Sequence, residues 1–105
     1  MKRALQGVLV AGEKMKEDVL YGRKFITIRE GHRDYTEGNV MLGCHLLNWA
    51  VLREIVSVRH TTLGEVTVLE YEADGFETKS ELLDGLAKFY PDINWESEVT
   101  VVRWK

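Results

Sequence analysis

Cysteine, proline and long apolar runs are nearly absent from this chain. Its one cysteine, Cys44, excludes an intrachain disulfide and any multi-cysteine zinc or iron–sulfur cluster. No hydrophobic stretch approaches the roughly 18–20 residues of a membrane span. Met1, Lys2 and Arg3 begin like a secretory leader, but Gln6 and Gly7 interrupt the apolar stretch that follows, so no signal peptide is expected. These features point to a reduced, cytoplasmic setting. A single proline in 105 residues, with 45% hydrophobic and 30% charged residues, marks a folded chain with room for one domain, residues 1–105.

Strong positive charge is missing too. The formal net charge is -3, which argues against bulk nucleic-acid binding. The balance is uneven, however. Residues 1–35 carry eight basic and five acidic residues, and residues 36–105 carry six and twelve. The surplus is sharpest at Arg23, Lys24, Arg29 and Arg33, a local patch suited to one phosphate or a short single strand.

The hydrophobic pattern predicts a short strand over 5–10 and a helix over 12–21, with Gly22 ending that helix in a left-handed turn. Alternation from Phe25 to Arg29 predicts a strand. A polar loop over 30–39 follows. Val40 to Val51 is strand-like with a break near Gly43 or Asn48, and Arg53 to His60 reads as a strand paired with it. The stretch from Thr62 to Ala73 fits either state, and its β-branched residues lean toward strand. Thr78 to Tyr90 is the clearest helix. Thr78 and Glu81 form a capping-box pair, Leu82, Leu83, Leu86, Phe89 and Tyr90 form the apolar face, and Pro91 closes it. Val99 to Trp104 is a final strand that completes a sheet or barrel. Strands with interspersed helices and no βαβ regularity predict an α+β fold with a small curved sheet.

Chemistry-bearing residues concentrate from Gly22 to Arg29, where a helix ends and a strand begins. Thr27 is a nucleophile candidate if a base activates it, Lys24 is the base candidate, and Arg29 can hold a phosphate or an oxyanion. Strict alternation points Lys24 away from Thr27, so their convergence requires Lys24 to precede the regular pleat. Asp74 and Glu77, flanking Gly75 and Phe76, are candidate general acids. Trp49, Trp95 and Trp104, with Tyr35, Tyr71 and Tyr90, are candidate base-stacking rings, Trp49 beside the polar Asn48 and Trp95 in a polar loop. His32, His45 and His60 match no metal-ligand spacing. Each reads as a surface or packing histidine, and Cys44 as a small buried hydrophobe. Neither a metal nor a cofactor is expected.

A helix ending in VLYGRKFITIRE (residues 19–30), then YTEGNV (35–40), then EADGFETKSELLDGLAKFYP (72–91) and a terminal strand resembles the ASCH domain of the PUA-like superfamily. The likeness covers residues 8–105 and is nearest to the short acetylcytidine amidohydrolase branch. It implies a small β-barrel with helices packed around it, a cleft facing RNA or a nucleoside, and a helix between Leu63 and Ala73. It also implies Lys24 as base, Thr27 as nucleophile, Arg29 beside them and an acid before the last helix. Two positions depart from the family pattern. The acid is Asp74, or Glu77 as runner-up, where the family has Glu, and Phe25 follows the lysine where the family has Thr. The resemblance gives two functional expectations. One is deacylation of an N-acylated pyrimidine nucleoside such as N-acetylcytidine. The other is an RNA-binding module, without chemistry or with weak nuclease action, using Arg23, Lys24, Arg29 and Arg33 on phosphate and Trp49 or Trp95 on a base. A purely partner-binding domain is the third.

Overall fold

The terminal strand organises the sheet. In β5 (Glu98–Trp104), Val99 and Val101 enter one apolar cluster while Val102 and Trp104 enter another. A strand buried on both faces needs neighbours on both edges. β5 lies between β4 (Trp49–Thr62) and β2 (Ile26–Glu30), antiparallel to each. β3 (Gly38–Cys44) pairs antiparallel with β4, and β1 (Gln6–Leu9) pairs parallel with β3, giving the order β1-β3-β4-β5-β2. Among the described residues the result is a small α+β domain, a curved, mixed five-stranded half-barrel sheet with three packed helices. The computed structural model describes residues 6–9, 15–44 and 49–105. Asn48, His45, the start of the 12–21 helix and the side chain of Cys44 lie outside the described residues.

Pairing of the Val40 and Arg53 segments follows the hydrophobic pattern, but alternation fails inside β4. The register against β5 slips between Ile55 and Ser57. The bulge adds a residue and reverses the parity, so Ile55 and then Val58 both reach the second cluster.

The ambiguous stretch is helical. A 3₁₀ turn (Leu63–Glu65) leads to α2 (Val68–Ala73). The β-branched residues here yield to the caps. Glu70 N–H donates to Thr67 Oγ1 and Thr67 N–H to Glu70 Oε1, a complete capping box. At the other end Gly75 has φ +96°. Phe76 N–H donates to Tyr71 C=O and Gly75 N–H to Glu72 C=O, the two bonds of a Schellman turn. The capping box expected at Thr78 is half formed. Thr78 Oγ1 accepts from Glu81 N–H, but the Glu81 carboxylate takes the Glu77 amide instead. α3 runs Lys79–Ala87, shorter than the apolar pattern predicts, so Phe89 and Tyr90 lie beyond its end.

Helices α2 and α3 supply Tyr71, Leu82 and Leu86 to the first cluster, with Leu63, Val66 and Ile93 around them. α1 (Met15–Leu20) supplies Val19 to the second. Gly22, at φ +79°, ends α1 in the left-handed turn that its sequence predicts. Among the described residues no helix is long and apolar enough to cross a membrane.

Candidate functional site

The corner after α1 is held on both sides. Lys24 N–H donates to Asp18 C=O at 2.8 Å, and the buried Trp104 indole Nε1–H donates to Lys24 C=O at 3.0 Å. Regular pairing of β2 begins only at Ile26. Lys24 therefore precedes the pleat, and alternation does not set its direction. Its side chain turns into a pocket of about 140 Å³ that Thr27 and Arg29 also line from β2.

Asp74 reaches the same pocket from the C-terminal end of α2 and forms an ion pair with Lys24. Both side chains are secluded, 10% exposed for Lys24 and 8% for Asp74. Burial pushes the Asp74 carboxyl above its ordinary range. The charge and hydrogen bond of Lys24, the charge of Arg29 and the backbone N–H of Ile28 oppose this without cancelling it. The position is also the unfavourable end of a helix for an anion. The Lys24 ammonium is directed to Asp74, and no hydrogen bond joins it to Thr27 in this state. Thr27 itself is 5% exposed.

The rest of the lining is mostly apolar. Phe76, Gly85, Leu86, Phe89 and Tyr90 form it, with Met15 from α1. The apolar face of α3 reads as core from sequence. Leu82 and Leu86 do enter the core, whereas Phe89 is 64% exposed at the pocket rim. Gly85 gives no hydrophobic signal at all, and the Trp104 anchor acts across 80 residues of sequence. Neither is visible to a local pattern.

Several sequence candidates lie elsewhere. Glu77 is exposed and does not line the pocket; Asp74 is the carboxylate that does. Arg23 is outside it, paired with Asp18 at 2.8 Å. Arg33 folds back on Glu30 C=O. Trp49 packs against the second cluster. Trp95 sits under the Lys79 ammonium, 5.6 Å from its ring centre, beside Gly64. The basic patch and the tryptophans thus do not converge: of the four basic residues Lys24 and Arg29 line the pocket, and of the candidate rings Tyr90 does. A larger hollow of about 600 Å³ runs between Phe25, Arg103 and α2, but none of the candidate catalytic residues lines it.

The histidines are arranged in a way their spacing does not foretell. His32 and His60 stack with ring centres 3.8 Å apart. Thr100 Oγ1–H donates to Gly31 C=O, so His60 Nδ1, 3.1 Å from that oxygen, is the donor of its contact. Among the described residues no group of three or more His, Cys, Asp or Glu is arranged to hold a metal.

In chemical terms the site combines a hydroxyl, an amine–carboxyl pair and a guanidinium in one small pocket whose remaining lining is mostly apolar. No protein-family model, no curated protein and no solved structure matches this chain.

Proposed function

We propose that this chain is an ASCH-like amidohydrolase that removes the acyl group from an N-acylated pyrimidine nucleoside such as N-acetylcytidine. The observation that carries the reading is the placement of Lys24, Thr27, Arg29 and Asp74 around one pocket, with Lys24 and Asp74 paired away from water. A hydroxyl becomes a useful nucleophile only beside a base that can take its proton. Burial pushes the Asp74 carboxyl up, which suits it to hold a proton for later delivery, and Lys24 is the amine that lines the pocket with Thr27.

The reaction then runs in two halves. Lys24 Nζ takes the Thr27 hydroxyl proton as Thr27 Oγ1 bonds to the acyl carbon. The carbonyl oxygen becomes an oxyanion facing Arg29. The C–N bond breaks as Asp74 gives its proton to the departing exocyclic nitrogen, releasing the nucleoside and leaving acyl-Thr27. A water molecule adds to the ester carbonyl and gives its proton to Asp74, and the bond between the acyl carbon and Thr27 Oγ1 breaks as Lys24 returns the proton to Oγ1, releasing acetic acid. Thr27 recovers its proton, and no redox step is involved.

The test is direct. Purified protein with N-acetylcytidine yields cytidine and acetate, resolved by chromatography, and Thr27→Ala lowers the rate by about three orders of magnitude or more. Absence of turnover across a panel of acylated nucleosides overturns the reading. If short single-stranded RNA instead binds in a salt-dependent, Lys24-dependent manner, the RNA-binding alternative takes its place.

A further inference from the structure

Gly85 lies inside α3, where glycine is the least favoured residue apart from proline. Its φ is not in the left-handed region, so backbone geometry does not demand it. The space beside it does. A Cβ built on Gly85 would collide with Cε1 and Cζ of Phe76, well inside van der Waals contact. The Phe76 ring is therefore seated in the notch left by the missing side chain.

That seat belongs to the pocket. Gly85 and Phe76 both line it, together with Lys24, Thr27 and Asp74. Phe76 is the last residue of the Schellman turn, and it packs against the cluster that holds Tyr71 and Leu82. With the core side filled, a ring driven off the notch has the pocket as its open space.

We propose that Gly85 is a specificity-determining residue: its notch holds Phe76 back and so sets the size of the acyl group that fits beside Thr27. This rests on reading the pocket as an acyl-binding site. A larger residue at 85 moves the ring inward and closes the site to large acyl groups first. One methylene in a hydrophobic pocket changes discrimination by roughly 10-fold to 200-fold, so even alanine is enough to register.

The experiment has a turnover arm and a binding arm. In the first, kcat/KM is measured for N-acetyl-, N-butanoyl- and N-benzoylcytidine with wild type, Gly85→Ala and the Gly85→Ala/Phe76→Ala double variant. Gly85→Ala is expected to lower the benzoyl-to-acetyl ratio about tenfold or more, and removal of the Phe76 ring to restore it. In the second, benzamide is titrated by NMR against the same three proteins. Shifts are expected at Thr27, Phe76 and Gly85 in wild type, with weaker binding in Gly85→Ala and recovery in the double variant. Gly85→Ala raises helix propensity and is expected to fold; thermal unfolding checks this. Unchanged benzamide affinity in Gly85→Ala, no recovery on removing the ring, or no wild-type binding overturns the proposal. Turnover with an unaltered acyl ratio likewise overturns it and leaves the hydrolase reading intact. No turnover, with the benzamide pattern as expected, supports the size-setting role of Gly85 and rejects the hydrolase.

Discussion

Lys24 and Asp74, 50 residues apart, form an ion pair in which neither side chain is more than 10% exposed. Their partnership seats a secluded charge pair in the pocket, and it makes the fold sensitive to either residue. Removing one member of a buried pair leaves the other charged and unsolvated, a loss of about 3–5 kcal/mol. Lys24→Met is expected to destabilise the protein by about that amount in urea denaturation at neutral pH. Lys24→Met/Asp74→Leu, which removes both charges, is expected to recover most of the loss. Equal destabilisation in the single and double variants contradicts this account.

The pH dependence of stability separates two carboxyl groups that the fold shifts in opposite directions. Asp74 has an ordinary value of 3.8 that burial raises despite Lys24, Arg29 and the Ile28 amide. The folded state thus holds its proton more tightly than the unfolded state. Its stabilising contribution is complete below 3.8 and is lost as pH rises through the higher native value. Partial burial also pushes Glu70 up, but the Arg59 hydrogen bond, the Thr67 amide and the Arg59 charge outweigh it and hold Glu70 below 4.5. Its contribution is present above 4.5 and is lost as pH falls through the lower native value. Urea midpoints across the acidic range are expected to show wild type losing ground to Asp74→Asn as pH rises, and to Glu70→Gln as pH falls. The same slope in both comparisons contradicts the assignment.

Trp104 positions Lys24 without touching the pocket. Its indole N–H holds the Lys24 carbonyl at 3.0 Å, and its backbone N–H holds Phe25 C=O at 2.9 Å. Trp104→Phe keeps the backbone bond and most of the packing, and loses the first contact. The stability cost of one such hydrogen bond is about 1 kcal/mol. Misplacing a reacting group by about 1 Å costs on the order of 10²-fold in rate. Trp104→Phe is expected to lower kcat on N-acetylcytidine by about tenfold or more with KM little changed. A rise in KM at constant kcat assigns Trp104 to packing alone.

Legibility in the sequence follows range. The strand from Ile26, the left-handed Gly22, the β3–β4 pairing and the helix opening at Thr78 all rest on neighbours within a few residues, and local pattern reaches them. The stretch from Thr62 to Ala73 failed for β propensity because its ends decide its state. Thr67 with Glu70, and Gly75 with Phe76, are a complete start and stop signal that outweighs the β-branched interior. The bulge at Ile55 and Ser57 reverses alternation midway along β4, and no residue type there announces it. At the site, Lys24, Thr27 and Arg29 are near in sequence and were legible as a group. Asp74 and Glu77 were not separable, since each flanks the same Gly-Phe turn. Only the end of α2 decides which one faces Lys24. The apolar wall and the Trp104 anchor depend on tertiary contacts that no window of the chain contains.

That choice between carboxylates yields the last prediction. Asp74 lies at the C-terminus of α2, within the pocket and bonded to Lys24. Glu77, three residues on, is exposed, and its backbone amide donates to Glu81 at the start of α3. A general acid must stand within hydrogen-bond reach of the leaving nitrogen, and its loss typically costs about 10²–10⁴-fold. Asp74→Asn keeps the size of the side chain and its contact with the Ile28 amide but cannot supply the proton. It is expected to reduce kcat within that range, while Glu77→Ala leaves kcat and KM unchanged. Asp74→Glu tests reach, because the extra methylene carries the carboxyl farther into the pocket; an activity between wild type and Asp74→Asn is expected. Loss of activity in Glu77→Ala with a working Asp74→Asn enzyme reverses the assignment and requires α2 and its Gly75 turn to rearrange when substrate binds.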